Sequence, residues 1–547
     1  MINFNNFSFN KTNKRSCKDV AFRQNSQTVL PSNVSTTGLD SFVKTTVTTP
    51  PTFSQPNPTV KMKVGYINDF HGQLTKMERT IVPLQDCDVR FSAGDILLGD
   101  DRNSMLNKAV VKYLNLANIE ASAIGNHEID ASQKSFMDTT APLKTKFVNV
   151  NYRQYPESTQ DIPQEKRAQI NHKFVNSYVQ DIKGEKCGVI GVVPVDLEAR
   201  YNHPEWYTDC KVDNMDKTVQ DVQGEVDKLK KQGINKIFLL SHNGFKRDQE
   251  MAQKTDGIDV IIGGHSHDLV KGVEKGKNLF ASKSGDPVVI TQAGKDGYNF
   301  GELNIEFNKQ TGVLTSVQNN VIPTENYKPN LIYTKILESE FGDSQPLGVI
   351  ESVLPRPKNQ LTEESAQANF VCDAMKNELG ADIGILNSSN LRSEFEKGPF
   401  TKLDAKMLSP FNNKMELVNV TEKDLVDGFK FTCKSLTNLS NKPGILDASG
   451  LKYTVSKSTG DLKNMSFVDR EGKEHPINID KPDSNKIYKL AADSFVLMGG
   501  DKVKSFDYRG KEEKIFDFDK DKLVSDYVKR QNKPININET GRITFVD

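Results

Sequence analysis

The sequence predicts an α/β protein in which a layered α/β domain, a β-sheet core flanked by helices, precedes a mixed α+β domain. Three observations carry this expectation: the length, the alternation of apolar runs with helical stretches, and one βαβ unit. At 547 residues the chain exceeds what one ordinary core organises, and two large domains fit. From Lys61 onward the runs KVGYIN, VRFSAG, ASAIGN, KCGVIGVV, KIFLLS and DVIIGG read as buried strands. Between the fourth and fifth runs, Asp216 to Gln232 sets Val219, Val222, Val226 and Leu229 along one helical face, and Gly233 follows as a stop. Strand, helix and strand in succession make a βαβ unit, hence a layered α/β domain.

The remaining elements follow in order. Residues 1–60 are rich in Asn, Ser, Thr, Gln and Pro, a composition that predicts a disordered tail. The first domain then spans 61–325, closed by sheet from Val288 to Asn308. A helix from Pro329 to Phe341, apolar at Ile332, Ile336 and Leu337, predicts a helical linker over 326–344. The second domain, 345–547, opens with a helix from Thr362 that stops at Gly380, and ADIGILNSSNLR then carries a strand into a loop. Thr421 and Asp424 fit a capping box ahead of Leu425, Val426 and Phe429. No solenoid-length repeat is visible.

Composition excludes several classes of partner. Lys plus Arg equals Asp plus Glu at 72 each, so no general basic field points to a nucleic-acid polymer or an anionic membrane surface. No stretch of about 18 uninterrupted apolar residues occurs, so no membrane segment is expected. The start MINFNNFSFNKTNKRSCKDVAF has no apolar region before a small-residue cleavage site, and a soluble chain resident in the cytoplasm is the expectation. The six cysteines are dispersed without a short Cys-x-x-Cys pair, which predicts free thiols, several of them buried.

The scarce residues carry the chemistry. Asp69 and His71 follow KVGYIN; Asp95 follows VRFSA; Asn126 and His127 follow ASAIG; His242 follows KIFLLS; His265 and His267 follow DVIIGG. Five of the eight histidines thus sit just past the ends of buried strands. In an open α/β sheet those are the loops where ligands bind, so groups nearly 200 residues apart in sequence can converge. Imidazole nitrogens with carboxylate and amide oxygens suit zinc, manganese or iron. The inventory is enough for two divalent ions, which would clamp the attacking and leaving oxygens of a displacement at phosphorus. Taken singly, each has a blander reading: a loop histidine, a helix-capping aspartate, a Gly-Asn turn.

The ordered motifs Asp69-Phe-His71, Gly94-Asp95, Gly125-Asn126-His127-Glu128, Ser241-His242 and Gly264-His265-Ser266-His267 resemble those of the calcineurin-like metallophosphoesterases. The words NDFHGQL, GNHEID and IIGGHSHD are similar to those of the 5'-nucleotidase family in particular. The resemblance implies that Asp69, His71 and His267 hold one metal, that Asn126, His242 and His265 hold the other, and that Asp95 bridges them. It implies that His127 donates to a phosphate oxygen and that Asp130 orients and charges His127; a helix cap for a helix beginning near Ala131 is the open alternative for Asp130. His172, His203 and His475 match none of the motifs and read as solvated loop residues.

The C-terminal half resembles the substrate domain of the same family in ESAQANFVCDAM, LNSSNLR, SPFNNKM, SGLKYTV and DSFVLMGGDKV. The resemblance implies that Phe411 and Phe495 sandwich a base, that Asp501 accepts from ribose hydroxyls, that Arg392 holds phosphate, and that Asn387 and Asn413 belong to the same substrate site. Departures stand beside these. Ser388, Ser389 and Asn390 replace a three-glycine loop, Asn412 and Lys502 replace further glycines, and Glu363 reverses the charge of a frequent arginine. The function implied is a dinuclear-metal phosphohydrolase acting on nucleoside 5'-monophosphates or related nucleotides. Its rivals are a 2',3'-cyclic nucleotide phosphodiesterase or nucleotide-sugar pyrophosphatase on the same fold, and an inert nucleotide-binding protein.

Overall fold

The computed structural model describes residues 2–3, 58–98, 104–130, 133–154, 174–197, 210–342, 345–357, 359–387, 390–411, 413–437, 444–509 and 513–547. Nearly all of the expected N-terminal tail, with His172, His203, Ser388, Ser389 and Asn412, lies outside them. The chain forms two compact units, the main body of one ending at Tyr327 and that of the other running from Lys328 onward. No helix among the described residues is long and apolar enough to cross a membrane.

The first unit contains β1 (Thr59–Ile67), β2 (Val89–Ser92), β3 (Ala121–Ala123), β4 (Lys146–Val148), β5 (Glu185–Val192), helix α1 (Met215–Lys231), β6 (Ile237–Ser241), helix α2 (Phe245–Lys254), β7 (Val260–Gly263), β8 (Pro287–Thr291), β9 (Asn299–Asn308) and β10 (Leu314–Pro323). These strands build two sheets where the sequence suggested one. An eight-stranded sheet runs β10-β9-β1-β2-β3-β4 with a two-residue strand at each end, and a six-stranded sheet has β8-β7-β6-β5 at its centre. β1 to β4 are parallel, as are β5 to β8. The run from Val288 to Asn308 is therefore two strands in different sheets, parted by a loop that carries Gly294 and Gly297 at positive φ.

One hydrophobic core joins the inner faces of both sheets: Val64, Tyr66, Val89 and Phe91 from the first, Phe238, Leu240, Val260 and Ile262 from the second. The Phe91 and Phe238 ring centroids are 5.5 Å apart. The alternate residues Leu239, Ile261 and Ile290 face the other way, against Val222, Val226 and Leu229 of α1 and Met251 of α2. Burial on both faces explains why the strands read as unbroken apolar runs. In α1 the buried face begins with Thr218, not Val219, which is half-buried; Asn214 caps the start and Gly233 follows at φ 79°.

In the second unit, helix α3 (Leu331–Phe341) buries Tyr333 and Leu337, whereas Ile332 is exposed, so the apolar face sits one residue round from that expected. Helix α4 (Ala366–Leu379) starts later than Thr362 because the Ser365 side chain caps it and the Glu364 carboxylate is taken by the Gly541 and Arg542 N–H groups. It ends at Gly380 in the left-handed conformation. Next come β11 (Ile383–Asn387), β12 (Lys414–Thr421), helix α5 (Glu422–Cys433), β13 (Leu446–Ser449), β14 (Ile487–Asp493), a four-residue helix α6 (Ser494–Leu497), β15 (Glu513–Asp519) and helix α7 (Lys520–Arg530). The sheet order is β13-β11-β14-β12-β15, with β11 and β14 parallel. One face packs on α4 and α7 through Leu386, Ala491 and Leu523. The other packs on α5 through Ile383, Val418, Val426 and Phe429.

Two local expectations change. Thr421 caps α5 by accepting from the Asp424 N–H, but the Asp424 carboxylate accepts from the Thr421 hydroxyl and from Tyr508. The return bond is not made to Thr421 N, so only half of the expected box forms. His475 lies in a short strand, not a loop, with its ring 2.7 Å from Asp469. Cys87, Cys187, Cys372 and Cys433 are buried free thiols, and burial pushes Cys187 up to about 12.

Candidate active site

The two sheets deliver the scarce residues from five strand ends. Asp69 and His71 follow β1, Asp95 follows β2, and Asn126 and His127 follow β3, all in the eight-stranded sheet; His242 follows β6 and His265 and His267 follow β7, in the six-stranded one. Each chain must turn sharply as it leaves its strand. Asp69, His71, Asp95, His265 and His267 have φ of 51°, 48°, 53°, 77° and 62°. Non-glycine residues in this region are uncommon and cost about 1–3 kcal/mol each, and such outliers cluster at functional sites.

Hydrogen bonds tie the turns together. Asp69 N donates to Gly94 O at 2.9 Å, and the Asp69 carboxylate accepts from His265 N at 3.0 Å. Asp95 Oδ1 accepts from His127 N at 2.8 Å. His242 Nδ1 is 2.6 Å from Ala93 O, a contact that fixes the ring with Nε2 towards Asp95 Oδ2 at 3.0 Å. Glycines leave the space this needs. A Cβ on Gly125 would lie 2.1 Å from Asp95 Oδ1, and one on Gly264 would lie 2.9 Å from both Ala93 O and His242 Nδ1.

Three sets of donors converge: Asp69, His71 and His267; His71, Asp95 and His127; and Asp95, His242 and His265. Within each set the donor atoms lie within 4.8 Å of one another. Nitrogen and carboxylate donors without a thiolate fit a divalent ion of the zinc, manganese or iron kind. Asp69, Asp95 and His242 are buried. Burial alone would push the His242 imidazole down, but the Asp95 and Asp69 carboxylates outweigh it and raise it to about 9. Burial would raise the Asp69 carboxyl, yet His242 and His267 hold it below its ordinary value.

The His127 ring contacts the Asp130 carboxylate through Nδ1, and the next helix begins only at Gln133. Several supporting residues went unassigned in the sequence. Glu128, 2% exposed, accepts from the Asp95, Ile96 and Gly125 N–H groups at 2.7, 2.8 and 2.7 Å. Asn68 donates to Asp69 Oδ2 at 2.6 Å and to Gly294 O at 2.7 Å. Asp196 places Oδ1 at 3.6 Å from His265 Nε2. It lies just past the end of the strand KCGVIGVV, the same signal that picked out the histidines.

In the second unit Asn387 ends β11 and is buried with Asn413. The Arg392 guanidinium lies over the Phe411 ring, 5.2 Å from its centroid. Phe495, half-buried, begins α6 with Ser494; a Cβ on Gly500 would come within 2.4 Å of Phe495 O and 2.7 Å of its ring. The Asp501 side chain lies outside the described residues, as do the side-chain consequences expected of Ser388, Ser389 and Asn412. Three departures are resolved. Glu363 is exposed, Asn390 is buried, and Lys502 has a φ of 67°, in the region that favours glycine.

Residues 62–269 match the calcineurin-like phosphoesterase family, and residues 346–508 match the 5'-nucleotidase C-terminal domain. The trifunctional nucleotide phosphoesterase protein YfkN of Bacillus subtilis is 24% identical over 89% of this chain and 35% of its own length, so the chain spans about a third of that relative. The 5'-nucleotidase of Bos taurus is 26% identical over 80% of this chain and 78% of its own. The crystal structure of a 5'-nucleotidase precursor from Thermus thermophilus superposes with a TM-score of 0.64 at 20% identity, covering 89% of this chain and all of that one.

Proposed function

The chain belongs to the 5'-nucleotidase family, with a calcineurin-like phosphoesterase domain ahead of a 5'-nucleotidase C-terminal domain, and we propose that it removes phosphate from nucleoside 5'-monophosphates or related nucleotides. The observation that carries this reading is the convergence of Asp69, His71, Asp95, His242, His265 and His267 from four strand ends of two sheets. With Asn126, these residues would hold two divalent ions. Bound there, the ions would supply Lewis-acid charge and lower the pKa of water.

The chain's own groups do the rest. Asp130 takes the Nδ1 side of His127, leaving Nε2 to donate to a phosphate oxygen as charge builds. Phe411 and Phe495 offer flat faces to a base, which gives affinity with little base discrimination. Arg392 holds a phosphate oxygen in a charge-assisted contact, Asp501 accepts from ribose hydroxyls, and Asn387 and Asn413 serve the base. The division of labour follows the domains proposed from the sequence, 61–325 for chemistry and 345–547 for recognition.

The test is phosphate release with manganese or zinc from nucleoside monophosphates, cyclic nucleotides and a nucleotide sugar, beside Asp95→Ala. Release from a monophosphate that the variant abolishes is the expected result. Cleavage of cyclic nucleotides or nucleotide sugars alone would move the substrate class, and no metal-dependent release would overturn the reading.

A further inference from the structure

The second unit holds a cavity of about 350 Å3 that shares no lining residue with the proposed substrate site. Ala366, Phe370 and Asp373 lie four and then three residues apart on α4, which sets them on one helical face of its wall. Tyr527 comes from α7, and Ile535 and Ile537 from the strand that follows, β16 (Ile535–Ile537). The chain turns from α7 into β16 through Asn532, at φ 49°, and Pro534. Successive strand residues face opposite ways, so Ile535 and Ile537 are buried while Asn536 between them is exposed. The volume is at the low end for small-molecule sites, which suits one small metabolite rather than a peptide.

Each wall has its own chemistry. Phe370 and Tyr527 are partly buried rings with centroids 5.2 Å apart and planes at 57°, and with the two isoleucines they make an apolar corner. The acidic wall is already answered: Arg542 donates to both Asp373 oxygens, at 2.9 and 2.7 Å, and lies 3.4 Å from Glu539. Lys533 differs. It lines the cavity, is exposed, and has no hydrogen bond or ion pair among the described residues. Alone, an exposed lysine is a solvated surface group. Beside an aromatic corner in a cavity, it is one half of a site for an anion carried on a flat ring.

We propose that this cavity is a second ligand site, for a nucleoside monophosphate or a compound of the same chemistry, separate from the site that delivers substrate to the metals. The anionic group meets Lys533, and the base lies against Phe370 and Tyr527. Ribose hydroxyls donate to the carboxylates, since a carboxylate has about four acceptor positions and Arg542 takes only one on each Asp373 oxygen. Phosphate alone would leave the apolar corner wet, and a nucleoside alone would leave the ammonium unanswered. The two parts are needed together.

The experiment is equilibrium dialysis of the full-length protein carrying Asp95→Ala, a background without turnover, against adenosine 5'-monophosphate, adenosine and ribose 5-phosphate. Two equivalents of the monophosphate per chain are expected, one lost on adding Lys533→Glu and the other on adding Phe495→Ala. Lys533 is exposed, so its charge reversal is compatible with the fold, and melting curves verify it. At the cavity, adenosine lacks the anion and ribose 5-phosphate lacks the ring, and each should bind about tenfold more weakly than the monophosphate. An isotherm that a folded Lys533→Glu protein leaves unchanged overturns the site, whatever Phe495→Ala does. Loss with Lys533→Glu and none with Phe495→Ala keeps the second site and removes Phe495 from the substrate reading instead.

Discussion

Replacing Glu128 with glutamine isolates what one buried carboxylate does for the metal-binding turns. Its Oε2 accepts from Asp95 N and Gly125 N, and its Oε1 from Ile96 N. Glutamine has the same shape but only one acceptor atom. If that atom takes the Oε2 place, two bonds survive in neutral form and the amide NH2 is forced against the Ile96 N–H. Hydrogen bonds to charged groups contribute about 1.5–3 kcal/mol and neutral ones about 0.5–1.5, so exchanging three of the first for two of the second loses about 3.5–6 kcal/mol. The strain falls on the turn that carries Asp95 at φ 53°. Loss of such a supporting contact typically weakens metal affinity 10–100-fold, so manganese binding by calorimetry should drop by about that factor. Denaturant unfolding with and without manganese would read both effects. A folded Glu128→Gln protein that binds manganese within about twofold of wild type would refute the reasoning.

Further outcomes follow from the same geometry. Gly125→Ala puts a methyl 2.1 Å from Asp95 Oδ1, and overpacking of this kind costs about 1–3 kcal/mol; metal content measured after dialysis should fall even where the protein stays folded. His242, raised to about 9 from an ordinary 6.5, stabilises the metal-free fold below 6.5, and that contribution is lost as pH rises through about 9. A metal must displace that proton, so affinity should climb about tenfold per pH unit from 7 towards 9, with a proton released in calorimetry. Lys502→Gly relieves a left-handed residue at φ 67°, and the melting temperature should rise by the equivalent of about 0.5–1 kcal/mol.

The strands were legible because burial on both faces leaves unbroken apolar runs such as KIFLLS and DVIIGG. What those runs do not record is which sheet a strand joins. Val288–Asn308 crosses from one sheet to the other through the loop between Thr291 and Asn299, and only the pairing of β8 with β7 and of β9 with β1 reveals which sheet each strand joins. The converging histidines and carboxylates were legible because each follows a strand end. Glu128 and Asn68 were not, since their carboxylate and amide act on backbone N–H groups and on a neighbouring side chain, contacts that leave no mark in spacing. Asn390 was legible only as a replacement in a three-glycine loop. Its inward turn depends on Asp493 and Lys520, about 100 and 130 residues away, a range at which local pattern is silent.

The left-handed turns that carry Asp69, His71, Asp95, His265 and His267 also limit what a designer could place there. That backbone region admits glycine and, among residues with side chains, favours asparagine, aspartate and histidine, while β-branched residues are excluded. The tolerated side chains are those that bind hard and borderline cations. An engineer could exchange imidazole for carboxylate at these positions and so shift the preferred ion, but could not make the turns apolar without rebuilding the loops. The backbone acts as a filter on substitution, screening out most losses of function by sterics before any chemistry is tested.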